Sequence, residues 1–424
     1  MSMASRRVVY NSRPFVSWPW SQSARQPTFC CSLRLQSRRS FQTESKSRSN
    51  VPDFAFAFDI DGVLIRSARP ITHASTTLQY LQKHSIPFIL LTNGGGKHES
   101  ERVADLSSRL SLSLSTSMFI QSHTPFAELT HGQDSLRDKC ILVMGGEGPR
   151  CRDVAEAYGF TNVVTPGDIY AAYPEIWPFS APFKDHYYNK FARPLPKPIN
   201  PEDPEGSLKI DAVFVYNDPR DWGLDAQILM DVMLSSRGIV GTYSAKNGDT
   251  SLPNSGYLQD GQPRLYFSNP DLLWAADYPL SRLGQGGFRA AVDGLWRALT
   301  KSKHHPTPKL YKKVLGKPFR ETYEYAEKQL LRHRDAIFKG HNQQVVPPLK
   351  RVYMVGDNPE SDIRGANSFE SPRGVEWISL LTRTGVYKDR DGQRPTWEPR
   401  AIVDDVKAAV QYALEDSKWP EHLD

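Results

Sequence analysis

The sequence predicts an α/β fold organised around a parallel sheet. Three observations carry this: short apolar runs stop abruptly at Asp, Thr or Gly; polar, helix-compatible stretches follow; and the runs are continuous rather than alternating. Continuous apolar runs of this length suit strands covered on both faces, and sheets of that kind bind ligands at the carboxyl ends of their strands. At 424 residues the chain is long enough for two or three domains with real cores.

The first element is residues 54–64, F-A-F-A-F-D-I-D-G-V-L, a strand that ends at Asp59 and Asp61. Side chains at i and i+2 share a face while the strand lasts, and a turn at Gly62 lets both carboxylates converge on one small volume. Two acids and a tight turn can hold a cation and a phosphate; D-x-D-G is equally an ordinary turn. The second is residues 88–96, F-I-L-L-T-N-G-G-G, whose Thr92, Asn93 and exposed backbone N–H groups are suited to phosphate oxygens. Residues 316–318, G-K-P, supply Lys317 just before a helix-like stretch, to neutralise phosphate and carboxylate charge. The last is residues 351–362, R-V-Y-M-V-G-D-N-P-E-S-D, where Asp357 follows a third strand as an oxygen ligand for a hard cation and Asp362 lies five residues on.

Taken in order, these four segments resemble the haloacid dehalogenase (HAD) superfamily of phosphohydrolases, in particular class IIA and the mitochondrial group named for the cat-eye-syndrome critical region. The resemblance implies a three-layer, Rossmann-like core with a parallel sheet and an inserted α/β cap. It implies Asp59 as the nucleophile that forms an aspartyl-phosphate, and Asp61 as the acid/base. Thr92 and Asn93 would bind phosphate, and Lys317 would pair with Asp59. Mg²⁺ would be held by Asp59, Asp357 and the Asp61 main-chain carbonyl, with Asp362 in support. The chemistry is coherent, because a carboxylate attacks a dianionic phosphate only where positive charge offsets their repulsion.

The family pattern splits the core: residues 51–117 form its first part and 288–424 its second, around a cap at 118–287. Two strand-like runs, residues 140–145 and 211–216, fall in the cap. Its segment 170–207 is rich in proline and aromatics and long for a loop, which reads as a lid, a partner surface, or an insertion packed on its own domain. Residues 267–271, F-S-N-P-D, resemble the class IIA boundary segment and make Asn269 and Asp271 substrate or entrance residues. Residues 284–287, G-Q-G-G, stand where relatives carry a hydroxyl, and residues 382–385, T-R-T-G, border the site.

Charge is unevenly spread. Residues 1–50 hold nine Lys or Arg and one acid, giving +8 against +6 for the whole chain, so the remainder carries −2. An Arg- and Ser-rich, acid-poor leader has the composition of a mitochondrial transit peptide, the alternative being a basic arm. The expected location is therefore mitochondrial, in the matrix. No nucleic-acid partner is expected, and no apolar run is long enough to span a membrane. Cys30, Cys31, Cys140 and Cys151 show neither metal-ligand spacing nor a disulfide framework, and His304 and His305 read as solvated loop.

The expected function is a Mg²⁺-dependent phosphatase acting on a small phosphate monoester. Two alternatives stand beside it: phosphoryl transfer or phosphate removal in mitochondrial glycerophospholipid biosynthesis, and a low-turnover member that binds a phosphorylated ligand or a protein. Oligomeric state is left open.

Overall fold

The computed structural model describes residues 51–423 apart from 68, 275–277, 279, 304, 340–345 and 389–393. The basic leader and His304 therefore lie outside the described residues. Along the chain come β1 (Phe54–Phe58), α1 (Ala74–Lys83), β2 (Phe88–Leu91), α2 (Glu99–Leu110) and β3 (Phe119–Ile120). Then follow β4 (Cys140–Met144), α3 (Arg150–Ala157), β5 (Asn162–Val164), α4 (Pro166–Ala172), β6 (Ala212–Val215), α5 (Trp222–Leu234) and β7 (Arg264–Phe267). The chain continues through α6 (Gln285–Thr300), β8 (Lys313–Val314), α7 (Arg320–Lys339) and β9 (Arg351–Gly356). It closes with α8 (Arg364–Ser368), β10 (Glu376–Thr382), β11 (Ala401–Val403) and α9 (Val406–Asp416).

Two parallel sheets organise these elements. The core sheet has the order β11-β10-β9-β1-β2-β3, with Phe56 opposite both Tyr353 and Phe88. Each residue of β1 is buried, because helices cover both faces; the cluster around it includes Leu78 of α1, Leu106 of α2, Tyr323 of α7 and Val410 of α9. Truncating a core phenylalanine such as Phe56 costs about 3–5 kcal/mol. The second sheet has the order β8-β7-β6-β4-β5. Its strands divide by alternation: Leu142, Val213, Val215 and Phe267 face a cluster with α5 and α6, while Ile141, Val143, Phe214 and Tyr266 face α3 and Phe126.

These pairings divide the chain differently from the boundaries read off the sequence. Phe119–Ile120 hydrogen-bonds to β2 of the core sheet, so the first core part runs past 117. Lys313–Val314 joins the cap sheet beside β7, and Phe288, Val292 and Trp296 of α6 pack in the cap's cluster. The return to the core thus comes near residue 315 rather than 288. An amphipathic helix shows that it covers a sheet without showing which one.

The 170–207 insertion packs mainly on its own domain. Tyr170 and Tyr188 are buried, and Ile176, Trp177, Tyr187 and Phe191 lean on the α5 side of the cap, which leaves Phe179 and Phe183 exposed. Cys151 is buried and Cys140 partly so, both as free thiols. No helix among the described residues is long and apolar enough to cross a membrane.

Candidate active site

The carboxyl ends of β1, β2 and β9 meet at one point, where the chain leaving β1 turns sharply. Asp59 N donates to Val355 O at 2.9 Å, extending the sheet by one residue. Gly62, at φ +96°, then lets its N–H reach Ile65 O at 2.7 Å. A side chain at Gly62 would be excluded twice over, since its Cβ would fall 2.4 Å from Asp357 Oδ2.

At the centre stands Lys317, 1% exposed. Its Nζ lies 2.6 Å from Asp59 Oδ1, 2.7 Å from Asp362 Oδ1 and 2.9 Å from Leu91 O. Burial works against the ammonium charge, but Asp362 and Asp59 overcome it and hold the lysine above its ordinary pKa. Asp362 is committed on both oxygens, because Oδ2 also accepts from the N–H groups of Asp357 and Asn358 at 3.1 Å. It therefore orients Lys317 and fixes the turn after β9.

Asn93 has a different task from the phosphate contact expected of it. Its Oδ1 accepts from Lys317 N at 2.7 Å, and its Nδ2 donates to Lys317 O at 2.9 Å and to Asp271 Oδ1 at 3.0 Å. With both amide ends engaged, the side chain clamps the lysine's backbone and the cap-side Asp271 together. Thr92 is buried, and its Oγ1 accepts from Gly94 N at 3.0 Å, so it shapes the glycine loop from the site side.

Asp61 faces the cleft with a side chain 59% exposed, and its Oδ2 lies 3.9 Å from Arg102. Partial desolvation raises its carboxyl pKa while Arg102 pulls it down. Asp357 is buried; its Oδ2 accepts from Val386 N at 2.5 Å, and burial followed by Asp362 raises its pKa to about 7. Burial also raises Asp59, with Lys317 opposing.

Oxygens of Asp59, Asp357 and Asp362 lie within 4.8 Å of one another, all buried. Burial, and after it the neighbouring carboxylates, raises Asp59 and Asp357, and three carboxylates facing one lysine leave the site short of positive charge. A hard divalent cation fits that deficit and that all-oxygen donor set. Since Asp362 is spent on Lys317 and two N–H groups, Asp59 and Asp357 are the side chains left for it.

The Asn269-Pro270-Asp271 segment is held by a residue that the sequence reading did not single out as an anchor. Gln285, fully buried, accepts from Asn269 N at 2.7 Å and donates to Ser268 Oγ at 3.1 Å and to Val215 O at 3.2 Å. Asn269 Oδ1 in turn accepts from Asp271 N at 2.8 Å, and Gly286 N donates to Asp271 O at 2.9 Å. Burial raises Asp271 to a pKa of about 6, against its hydrogen bond from Asn93. The T-R-T-G loop also comes closer than a border: Thr384 Oγ1 donates to Gly62 O at 2.5 Å, and a Cβ on Gly385 would fall 1.8 Å from Asp357 Oδ2. His123 was equally silent in the sequence. Its Nε2 accepts from Gly96 N at 3.1 Å while Nδ1 meets Tyr158 Oη at 2.8 Å, and burial lowers its pKa to about 4, so it stays neutral and ties the glycine loop to the cap.

Comparison with known proteins agrees with this architecture. A model of the haloacid dehalogenase-like hydrolase family matches residues 56–161, and a second, HAD-hydrolase-like model matches residues 314–409. Over 391 residues the chain is 38% identical to a mitochondrial hydrolase of Saccharomyces cerevisiae, covering 89% of this chain and 98% of that protein. The chain belongs to the haloacid dehalogenase-like hydrolases. Another relative, from Schizosaccharomyces pombe, is a cardiolipin synthase (CMP-forming) / mitochondrial hydrolase fusion protein, 38% identical over 397 residues. The match covers 93% of this chain but spans only 58% of that longer protein. The HAD-like fold also recurs in a crystal structure of a hypothetical protein from Pyrococcus horikoshii OT3, with a TM-score of 0.52 at 18% identity over 85% of this chain and 99% of that one.

Proposed function

We propose that this chain is a Mg²⁺-dependent phosphatase that hydrolyses a small phosphate monoester through an aspartyl-phosphate on Asp59. The observation that carries the reading is the buried Lys317 ammonium 2.6 Å from Asp59, beside Asp357 and at the end of a parallel strand. Asp59 attacks phosphorus; Asp61, open to the cleft, protonates the departing oxygen and then takes a proton from the water that cleaves the acyl phosphate. Lys317 offsets the charge on the nucleophile and the transferring group. Asp59 and Asp357, with the Asp61 main-chain carbonyl, would hold Mg²⁺, which supplies further charge against the phosphoryl oxygens. Asn93 keeps Lys317 and Asp271 in register, and Asn269 and Asp271 bring the cap's boundary segment to the mouth of the site. Asp59, Asp61 and Lys317 together favour turnover over a role restricted to binding a phosphorylated ligand.

The names of the two yeast relatives support a mitochondrial location, and the arginine-rich leader is consistent with import. The fusion to a cardiolipin synthase in the Schizosaccharomyces pombe relative supports a second reading, in which the substrate is a phosphorylated precursor in glycerophospholipid synthesis. Phosphate release from a panel of monoesters, one of them a glycerophospholipid phosphate, tests both with purified protein plus and minus Mg²⁺. No release from any ester, or full activity after metal stripping, overturns the first reading; inactivity on the lipid alone removes the second.

A further inference from the structure

A cavity of about 300 Å³ opens between core and cap next to the site, with Thr92 and Gly94 in its wall. A Cβ built on Gly94 would stand 3.3 Å from Thr92 Oγ1 and 3.9 Å from Asp61 Oδ2, so the cavity begins where the acid/base carboxylate sits. The core contributes Lys97 and Arg102 to its lining, and the cap contributes Arg150 and Arg220. Against these four cations the lining holds one acid, Glu147, itself 3.3 Å from Arg150.

The partners these cations have are weak or exposed. Lys97 pairs with Glu101 at 2.6 Å one helical turn on, and Arg102 lies between Asp105 at 3.2 Å and Asp61 at 3.9 Å. Arg220 donates to the Asp218 carbonyl at 2.6 Å. The side chains of Lys97 and Arg150 are 38% and 48% exposed, and Arg102 is half-buried at 25%; solvent screens pairs of this kind, so they hold their partners weakly. A second anion, offering several acceptor oxygens to paired guanidinium forks, competes well for them.

The transferring phosphoryl group belongs with Asp59 and Lys317, so the leaving group extends from Asp61 into this cavity. Hydrolysis of a simple ester makes no use of four cations there. We infer that the substrate is a phosphate monoester whose leaving group carries a second anionic group, bound by Arg150 and Arg220 of the cap together with Lys97 and Arg102 of the core. This rests on the phosphatase reading of Asp59 and Asp61. Phosphate monoester, phosphodiester and carboxylate share the required chemistry as that second anion.

The test compares kcat/KM of the full chain for propane-1,3-diol monophosphate with three analogues on the same skeleton. These carry at the far end a second phosphate, its methyl diester, or a carboxylate. At least one should exceed the monophosphate by roughly tenfold or more, and the best of them names the anion. The Arg150→Gln/Arg220→Gln double variant should collapse that ratio. Calorimetry on the Asp59→Asn variant reads binding of the bisphosphate against the monophosphate without turnover. Equal efficiencies, or a preference that survives the double variant, overturn the inference and leave the phosphatase reading standing. Arginine-dependent binding of the bisphosphate with no turnover of any ester overturns the phosphatase reading and the leaving-group assignment with it, and leaves an anion-binding cleft.

Discussion

Lys317 Nζ lies 2.6 Å from Asp59 Oδ1, although 258 residues separate them in the chain. The contact forms because β8 leaves the cap at Val314 and the next few residues carry the lysine under the ends of β1 and β2, where Leu91 O and Asn93 receive it. Removing the Asp59 charge while keeping its shape isolates the nucleophile. Asp59→Asn should lower turnover by at least about 10³-fold while the circular dichroism spectrum is retained, and Asp61→Asn should accumulate labelled phosphoenzyme because its water attack lacks a base. Turnover by Asp59→Asn near the wild-type level would remove this residue from the mechanism.

Gly385 should prove as important to metal binding as a ligand. A methyl group there collides with Asp357 Oδ2 at 1.8 Å, so Gly385→Ala must push the carboxylate aside. We expect the Mg²⁺ concentration for half-maximal activity to rise by about tenfold or more in a protein that still folds. An unchanged Mg²⁺ titration would show that Asp357 does not need this position.

Gln285 ties Asn269 N to Ser268 Oγ and Val215 O through three hydrogen bonds of its buried side chain, with no solvent to replace them. Gln285→Ala should cost about 2–4 kcal/mol in denaturant unfolding, since buried partners lose their bonds, and should raise KM through a displaced Asp271. Gln285→Glu should not rescue stability, because it sets a carboxylate against Val215 O. Wild-type stability in either variant contradicts the anchoring role.

The cap carries its own pH dependence. Asp225, in the first turn of α5, is buried beside Asp221, and burial followed by that neighbour raises its pKa from 3.8 to about 8. A raised folded pKa favours folding below pH 4, and the advantage is lost as pH climbs through 8. Each pK unit is worth about 1.4 kcal/mol, so half of this shift is on the order of 3 kcal/mol. Asp225→Asn should therefore raise the unfolding midpoint at pH 9 far more than at pH 5. Equal effects at the two pH values would show that Asp225 does not titrate in this way.

Residues 1–50 should suffice for mitochondrial import. Fused ahead of a fluorescent protein, they are expected to give a mitochondrial signal, with the leader removed in the matrix near residues 38–43; a diffuse cytosolic signal would sink the idea.

The sequence by itself determined the fold class, and it exposed the groups from which the candidate site is proposed. Asp59, Asp61, Thr92 and Asp357 each lie within three residues of the end of an apolar run, so strand, turn and chemical group are contiguous and a local pattern exposes all three. The continuous run at residues 54–58 already required cover on both faces, and both faces are covered. Only the tertiary structure decided matters that depend on which distant groups meet. Asn93 looks like a phosphate ligand beside its glycines, yet it clamps Lys317 and Asp271 because those residues arrive with a donor and two acceptors in the right places. The apolar stripe of α6 is legible, but its allegiance to the cap rests on Leu142, Val215 and Phe267 turning that way. The segments around Gln285 and Gly385 are legible, but their roles, like the meeting of four cations in the cleft, leave no local signature, since hydrogen bonding, steric exclusion and summed charge act through space rather than along the chain.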